Sequence, residues 1–107
     1  MGANLLTDAS GMFYGCINLQ SINLGEFSTN NIKYVEEMFY GCHSLVYLNI
    51  SQFNTLKLIN ANDTFKGVDN NITLIFNDKI TNDIFRNSME NLSIINSISD
   101  ITMFDLD

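Results

Sequence analysis

"MFYGCINLQSINLGEFST", residues 12–29, decides the fold because it returns as "MFYGCHSLVYLNISQFNT" at residues 38–55. Laid without a gap, residues 6–31 and 32–57 are identical at nine of 26 positions, among them Met12/Met38, Phe13/Phe39, Tyr14/Tyr40, Gly15/Gly41, Cys16/Cys42 and Leu19/Leu45. A third, decayed copy keeps the register in Leu58, Ala61, Thr64, Phe65, Gly67, Val68, Leu74 and Phe76. A fixed period between about 20 and 50 residues is the signature of stacked repeats, each too small to bury its own apolar face.

Within each copy the spacing divides in two. Leu19, Ile22 and Leu24, then Leu45, Leu48 and Ile50, alternate as a short strand with one buried side. In the third copy Leu74 and Phe76 hold the last two positions, while Asn71 replaces the first leucine. Stacking the copies pairs these strands in parallel, about 4.8 Å apart. The other half places apolar residues at Leu6, Ala9, Met12 and Phe13, then at Ile32, Val35, Met38 and Phe39. This spacing predicts a short helix. Asp8 and Asn60 stand at its N-cap, and Gly15, Gly41 and Gly67 stand where it would stop with positive φ. On this reading "MFYGC" is the last helical turn, its glycine stop and the corner into the strand.

The recurring M-F-Y-G-C-x-x-L-x-x-[IL]-x-[LI]-x-x-F-x-T pattern resembles that of the BspA-like leucine-rich-repeat surface proteins. The resemblance covers residues 6–76. It implies an α/β solenoid, a short leucine-rich-repeat-like stack of about three coils, each a parallel strand plus a short helix. It also implies a cell-surface or extracellular location and a role in adhesion and protein binding. The sequence shows no signal peptide: "MGANLLTDAS" has neither a basic start nor an apolar core.

The copies divide residues 1–79 into coils 6–31, 32–57 and 58–79, and leave residues 80–107 as a C-terminal cap or tail. In that tail Ile80, Ile84, Phe85 and Met89 share one helical face, with Thr81 or Asn82 as N-cap. A helix there would cover the last strand, as the end of a solenoid requires. Beyond it, Ile98, Ile101, Met103 and Phe104 echo Ile32, Val35, Met38 and Phe39 one residue short. They fit either a further coil or a loosely ordered tail.

Twelve acidic residues against five basic ones give a net charge of −7, and Lys33, Lys57, Lys66, Lys79 and Arg86 are scattered along the chain. Nucleic-acid and anionic-membrane binding need clustered Lys and Arg, so both are excluded as partners. No apolar run approaches the roughly 18–20 residues of a membrane span, so no membrane insertion is expected.

No set of residues converges on chemistry. Cys16 and Cys42 fall in one slot of adjacent coils, near enough in Cα for a disulfide. Their Cβ atoms should nevertheless point the same way, and Val68 fills the slot in the third copy. Buried free thiols therefore fit better than a disulfide, and a metal site with His43 lacks a fourth ligand. His43, the only histidine, has no orienting carboxylate, and Ile17 holds the equivalent position. Glu36 and Glu37 read as a solvated edge. Asp100, Asp105 and Asp107 lack the glycine-containing loop of a calcium site. Four N-x-S/T sequons, at Asn49, Asn62, Asn71 and Asn91, are what an Asn-rich chain produces by chance. We expect no catalytic residues, no metal, no cofactor and no enzymatic activity.

What is left is the face between the buried strand positions: Ser21, Asn23 and Gly25, then Tyr47, Asn49 and Ser51, then Thr73, Ile75 and Asn77. In a leucine-rich-repeat curve such residues line the concave sheet. Tyr47 is the expected anchor, since aromatics dominate hot spots. The expected function is a non-enzymatic, adhesion-type repeat module that presents this sheet to a protein partner. The alternative is a structural fragment, terminal repeats of a larger surface protein with no ligand of its own. The chain enters in mid-coil at Asn4–Leu6, so the first strand should be an open edge through which the chain self-associates.

Overall fold

The computed structural model describes residues 6–24, 29–69, 71–76, 82–89 and 92, together with the backbone of 97–98. Each copy of the repeat contributes one strand of three residues: β1 (Ser21–Asn23), β2 (Tyr47–Asn49) and β3 (Thr73–Ile75). All pair in parallel, Ser21 beside Tyr47 beside Thr73 and Ile22 beside Leu48 beside Leu74, so the spatial register is the sequence register. After the helix α1 (Asp83–Ser88), a two-residue strand β4 (Ser97–Ile98) adds a fourth, parallel strand beside β3. The result is a short repeat-like α/β unit with a parallel sheet along one side.

The opposite side is not helical. Residues 10–15, 36–41 and 62–67 form runs of turns instead of the expected helices. The hydrogen bonds explain why. Alternate amides bond within the copy, Met12 to the Ala9 carbonyl, Tyr14 to Gly11 and Cys16 to Phe13. The amides between them leave it: Ala9, Gly11, Phe13 and Gly15 donate to the carbonyls of Tyr34, Glu36, Met38 and Tyr40 at 2.8–2.9 Å. The second copy repeats this, with Val35, Glu37, Phe39 and Gly41 donating to Asn60, Asn62, Thr64 and Lys66.

An α-helix would close all of these bonds within one segment. Here half of them tie neighbouring copies together. The conformation needs a left-handed residue early in each turn run, supplied by Gly11 (φ 66°), Glu37 (φ 56°) and Asp63 (φ 55°), one repeat apart. It needs a second at Gly15, Gly41 and Gly67, with φ of 72°, 75° and 85°. Two left-handed residues four positions apart cannot sit inside a regular helix. Asp8 and Asn60, expected as helix N-caps, instead close Asx turns by accepting from the Ser10 and Asn62 amides, each at 2.9 Å.

Between the two sides lies a core of Ile22, Leu24, Ile32, Val35, Met38, Phe39, Leu45, Leu48, Ile50 and Leu74. Its spine is the slot shared by Phe13, Phe39 and Phe65. Their ring centroids step by 5.7 and 5.4 Å, with planes 2° and 18° apart. Such stacked pairs contribute roughly 0.5–1.5 kcal/mol each beyond their buried area. In the third copy Ile72 is buried where its counterparts Gln20 and Val46 are exposed. It supplies the apolar side chain that the exposed Asn71 lacks.

The helix α1 ends the spine. Asn82 caps it, its side chain accepting from Ile84 N (2.8 Å) and Phe85 N (3.2 Å) while its amide donates to the Thr55 carbonyl at 2.8 Å. Phe85 is buried, stacked on Phe53 at 5.4 Å and edge-on to Phe65 at 5.8 Å. Ile84, expected on the buried face, is exposed. Ile80 and Thr81 lie outside the described residues, as do Ile101, Met103 and Phe104.

Candidate binding face

The strands are too short for any residue to leave its alternation, and this fixes the outward face. Ser21, Tyr47 and Thr73 form one row across the sheet; Asn23, Asn49 and Ile75 form the next. Ser21 and Asn23 are exposed, and Tyr47, Asn49, Thr73 and Ile75 are half-buried. Of the nine residues expected on this face, seven are among those described, and six of these lie together on it.

Ser51 is not. It is 6% exposed, and both its amide (2.9 Å) and its hydroxyl (2.7 Å) donate to the Asn49 carboxamide oxygen. Strict alternation would keep Ser51 on this face, but β2 ends at Asn49. The chain turns instead at Asn49, whose side chain closes an Asx turn and draws Ser51 inward. The Asn49 oxygen is thereby occupied by Ser51. Gly25 and Asn77 lie outside the described residues.

The chemical candidates behave as packing groups. Cys16 and Cys42 are free. Cys42 is fully buried, its Sγ donating to the Phe13 carbonyl at 3.2 Å, and burial pushes its thiol above the ordinary range. His43 is exposed and its Nδ1 meets the Gly67 carbonyl at 3.1 Å, which marks that nitrogen as the donor. Asp8 is exposed, and the Ser10 amide, helped by the Ser10 hydroxyl, holds its carboxyl below the usual range. Among the described residues no three His, Cys, Asp or Glu side chains form a metal-binding group. Asp100, Asp105, Asp107 and the sequon residue Asn91 lie outside those described. A pocket of about 260 Å³ lies where Thr7, Asn31, Lys33 and Lys57 meet, with Lys57 Nζ donating to Asn31 Oδ1 at 2.8 Å. No helix among the described residues is long and apolar enough to cross a membrane.

The sequence reading overlooked a set of exposed apolar residues: Leu56 (82% exposed), Val46, Ile59 and Ile17. The repeat register holds the signal for them. Leu56 stands where Asn30 stands one copy earlier, Val46 where Gln20 does, Ile59 where Lys33 does, and Ile17 pairs with His43. Each is an apolar residue in a slot that another copy fills with a polar one. Tyr14 and Tyr40 make a second stacked column outside the core, with centroids 4.8 Å apart and planes within 4°.

Residues 3–82, 80 of the 107 in the chain, match a family described as "Mycoplasma protein of unknown function, DUF285". No curated protein and no solved structure matches the chain.

Proposed function

The chain belongs to the DUF285 family, and we propose that this member is a non-enzymatic, adhesion-type binding module. In this reading its repeats form a short leucine-rich-repeat solenoid of the BspA-like kind, held at the cell surface or outside the cell. The face of β1, β2 and β3 contacts a protein partner. The observation that carries the reading is the pair of in-register rows, Ser21–Tyr47–Thr73 and Asn23–Asn49–Ile75. They set small polar groups around one half-buried aromatic side chain, on a sheet whose other face is the core. Tyr47 offers a large contact area with few rotors to freeze, and the flanking Ser, Thr and Asn offer adaptable hydrogen bonds.

The test uses immobilised protein and a detergent extract of cell-surface proteins. A ligand held by wild type and by Glu36→Ala, and lost with Tyr47→Ala at unchanged melting temperature, supports the reading. A ligand insensitive to Tyr47→Ala but lost with substitutions on the turn side overturns it. Specific retention of nothing favours terminal repeats of a larger protein with no ligand of their own.

A further inference from the structure

Two of the five basic side chains meet at one place on the surface. Ile32 and Leu58 hold the same slot in successive copies, and both are buried. Burying Ile32 leaves Asn31 half-buried and Lys33 exposed on either side of it; burying Leu58 leaves Lys57 and Ile59 exposed. Lateral bonds then set the spacing. The Lys33 amide donates to the Thr7 carbonyl at 2.7 Å, and the Lys33 carbonyl accepts from the Ile59 amide at 2.7 Å. Thr7, Lys33 and Ile59 are thereby held in one column across the copies. In the column beside it, Lys57 Nζ reaches back one copy to donate to Asn31 Oδ1 at 2.8 Å. Thr7, Asn31, Lys33 and Lys57 together line a pocket of about 260 Å³, several times the roughly 30 Å³ of a water molecule.

The pocket is positive in a chain that is not. Its four lining residues carry two ammonium groups and no carboxylate. Asp8, next to Thr7 in sequence, has its carboxylate accepting from the Ser10 amide at 2.9 Å. Among the described residues no carboxylate pairs with Lys33 or Lys57. An ammonium has three donors, so the bond to Asn31 leaves Lys57 two for a ligand. That bond also orders the Lys57 side chain beforehand, which lowers the entropy lost on binding. Charge balance selects the size of the ligand. At physiological ionic strength, fields decay over about 8 Å. A group small enough to sit in the pocket feels the two lysines, whereas a polyanion extending beyond it meets the net charge of −7.

We propose that this pocket binds a phosphate group, as the free ion or as the monoester of a small molecule. A phosphate dianion matches the two ammonium groups in charge, and its oxygens accept charge-assisted hydrogen bonds from Lys33 and Lys57. Thr7 adds a neutral hydroxyl donor. A carboxylate carries one charge and leaves one lysine unmatched. The site shares no residue with the rows of β1, β2 and β3 and does not depend on their binding a protein.

Isothermal titration of the full chain with inorganic phosphate, in a buffer free of competing oxyanions, tests this. Wild type should take up one phosphate per chain. Lys33→Gln and Lys57→Gln should each weaken binding about tenfold, the loss of one charge-assisted hydrogen bond. Both side chains are exposed, so the melting temperature should not change. Lys66→Gln, also exposed but outside the pocket, should bind as wild type does. Asn31→Asp keeps an acceptor for Lys57 and adds a negative charge to the lining, so it should abolish binding. Glucose 6-phosphate in place of phosphate distinguishes the sources: tighter binding assigns the monoester, and equal or weaker binding the free ion. A wild type that takes up no phosphate, binding unaffected by Lys33→Gln and Lys57→Gln, or a loss that Lys66→Gln shares equally each overturns the proposal.

Discussion

Phe13 lies flat on Phe39 across the first repeat boundary, their centroids 5.7 Å apart and their planes within 2°. Phe39 has Phe65 on its other side and is fully buried, whereas Phe13 has a ring neighbour on one side and is half-buried. Phe39→Ala should therefore destabilise the fold by about 3–5 kcal/mol and Phe13→Ala by clearly less. Urea melts of the two variants check the order. Equal losses would mean that the spine is not the unit of stability.

Asn82 connects α1 to the repeats by two routes, capping Ile84 and Phe85 and bonding the Thr55 carbonyl. Asn82→Ala should cost about 1–2 kcal/mol, at the upper end for a lost cap. Asn82→Asp should recover the capping part only, since a carboxylate cannot donate to Thr55. Thermal unfolding followed by circular dichroism would separate the three proteins.

How far the residues announced this fold depends on what each signal measures. The 26-residue register was legible because identities such as Phe13/Phe39 and Leu19/Leu45 need only counting, and strand pairing follows the same count. Helix and turn run were not separable by spacing. Apolar residues at i, i+3 and i+7 satisfy both, because both bring every third or fourth side chain to one face. The discriminating residues were Gly11 and its counterparts Glu37 and Asp63, where φ turns positive. Two of the three are non-glycine, so composition gave no warning. For the candidate face, alternation placed Tyr47 and Asn49 correctly and failed at Ser51, where a side-chain turn ends the strand.

Thr64 occupies the slot of Met12 and Met38 and is fully buried. Its hydroxyl donates to the Ala61 carbonyl at 2.7 Å, with the Val35 carbonyl 3.1 Å away. Thr64→Val keeps the shape and removes the donor, so it should lower stability by about 1 kcal/mol. A more stable variant would show that the carbonyls are satisfied without the hydroxyl.

The two thiols should separate kinetically. Cys16 is half-buried and Cys42 fully buried, so a thiol reagent should titrate Cys16 first, and denaturation without reductant should expose two free thiols. Burial raises the pKa of Cys42 in the folded state. Its contribution to stability is therefore constant below the ordinary thiol pKa of about 8.5 and falls as pH rises above it. Cys42→Val should fold and should flatten the alkaline limb of a stability–pH profile. An unchanged limb would assign that loss to another group.

The lateral bonds made by alternate amides along each turn run also give the stack an electrical axis. In an α-helix, amides aligned along the chain sum to a dipole with its positive pole at the N-terminus. Here alternate amides of the turn runs, those of Ala9, Gly11, Phe13 and Gly15 and their counterparts Val35, Glu37, Phe39 and Gly41, are aligned across the chain and point from one copy toward the next. The resulting dipole runs at right angles to the backbone, with its positive pole at the third copy and its negative pole at the first. Each added repeat would lengthen this dipole as a turn lengthens that of a helix. A positive charge introduced at Ser10 would sit at the pole that favours it, and a negative one at the pole that does not.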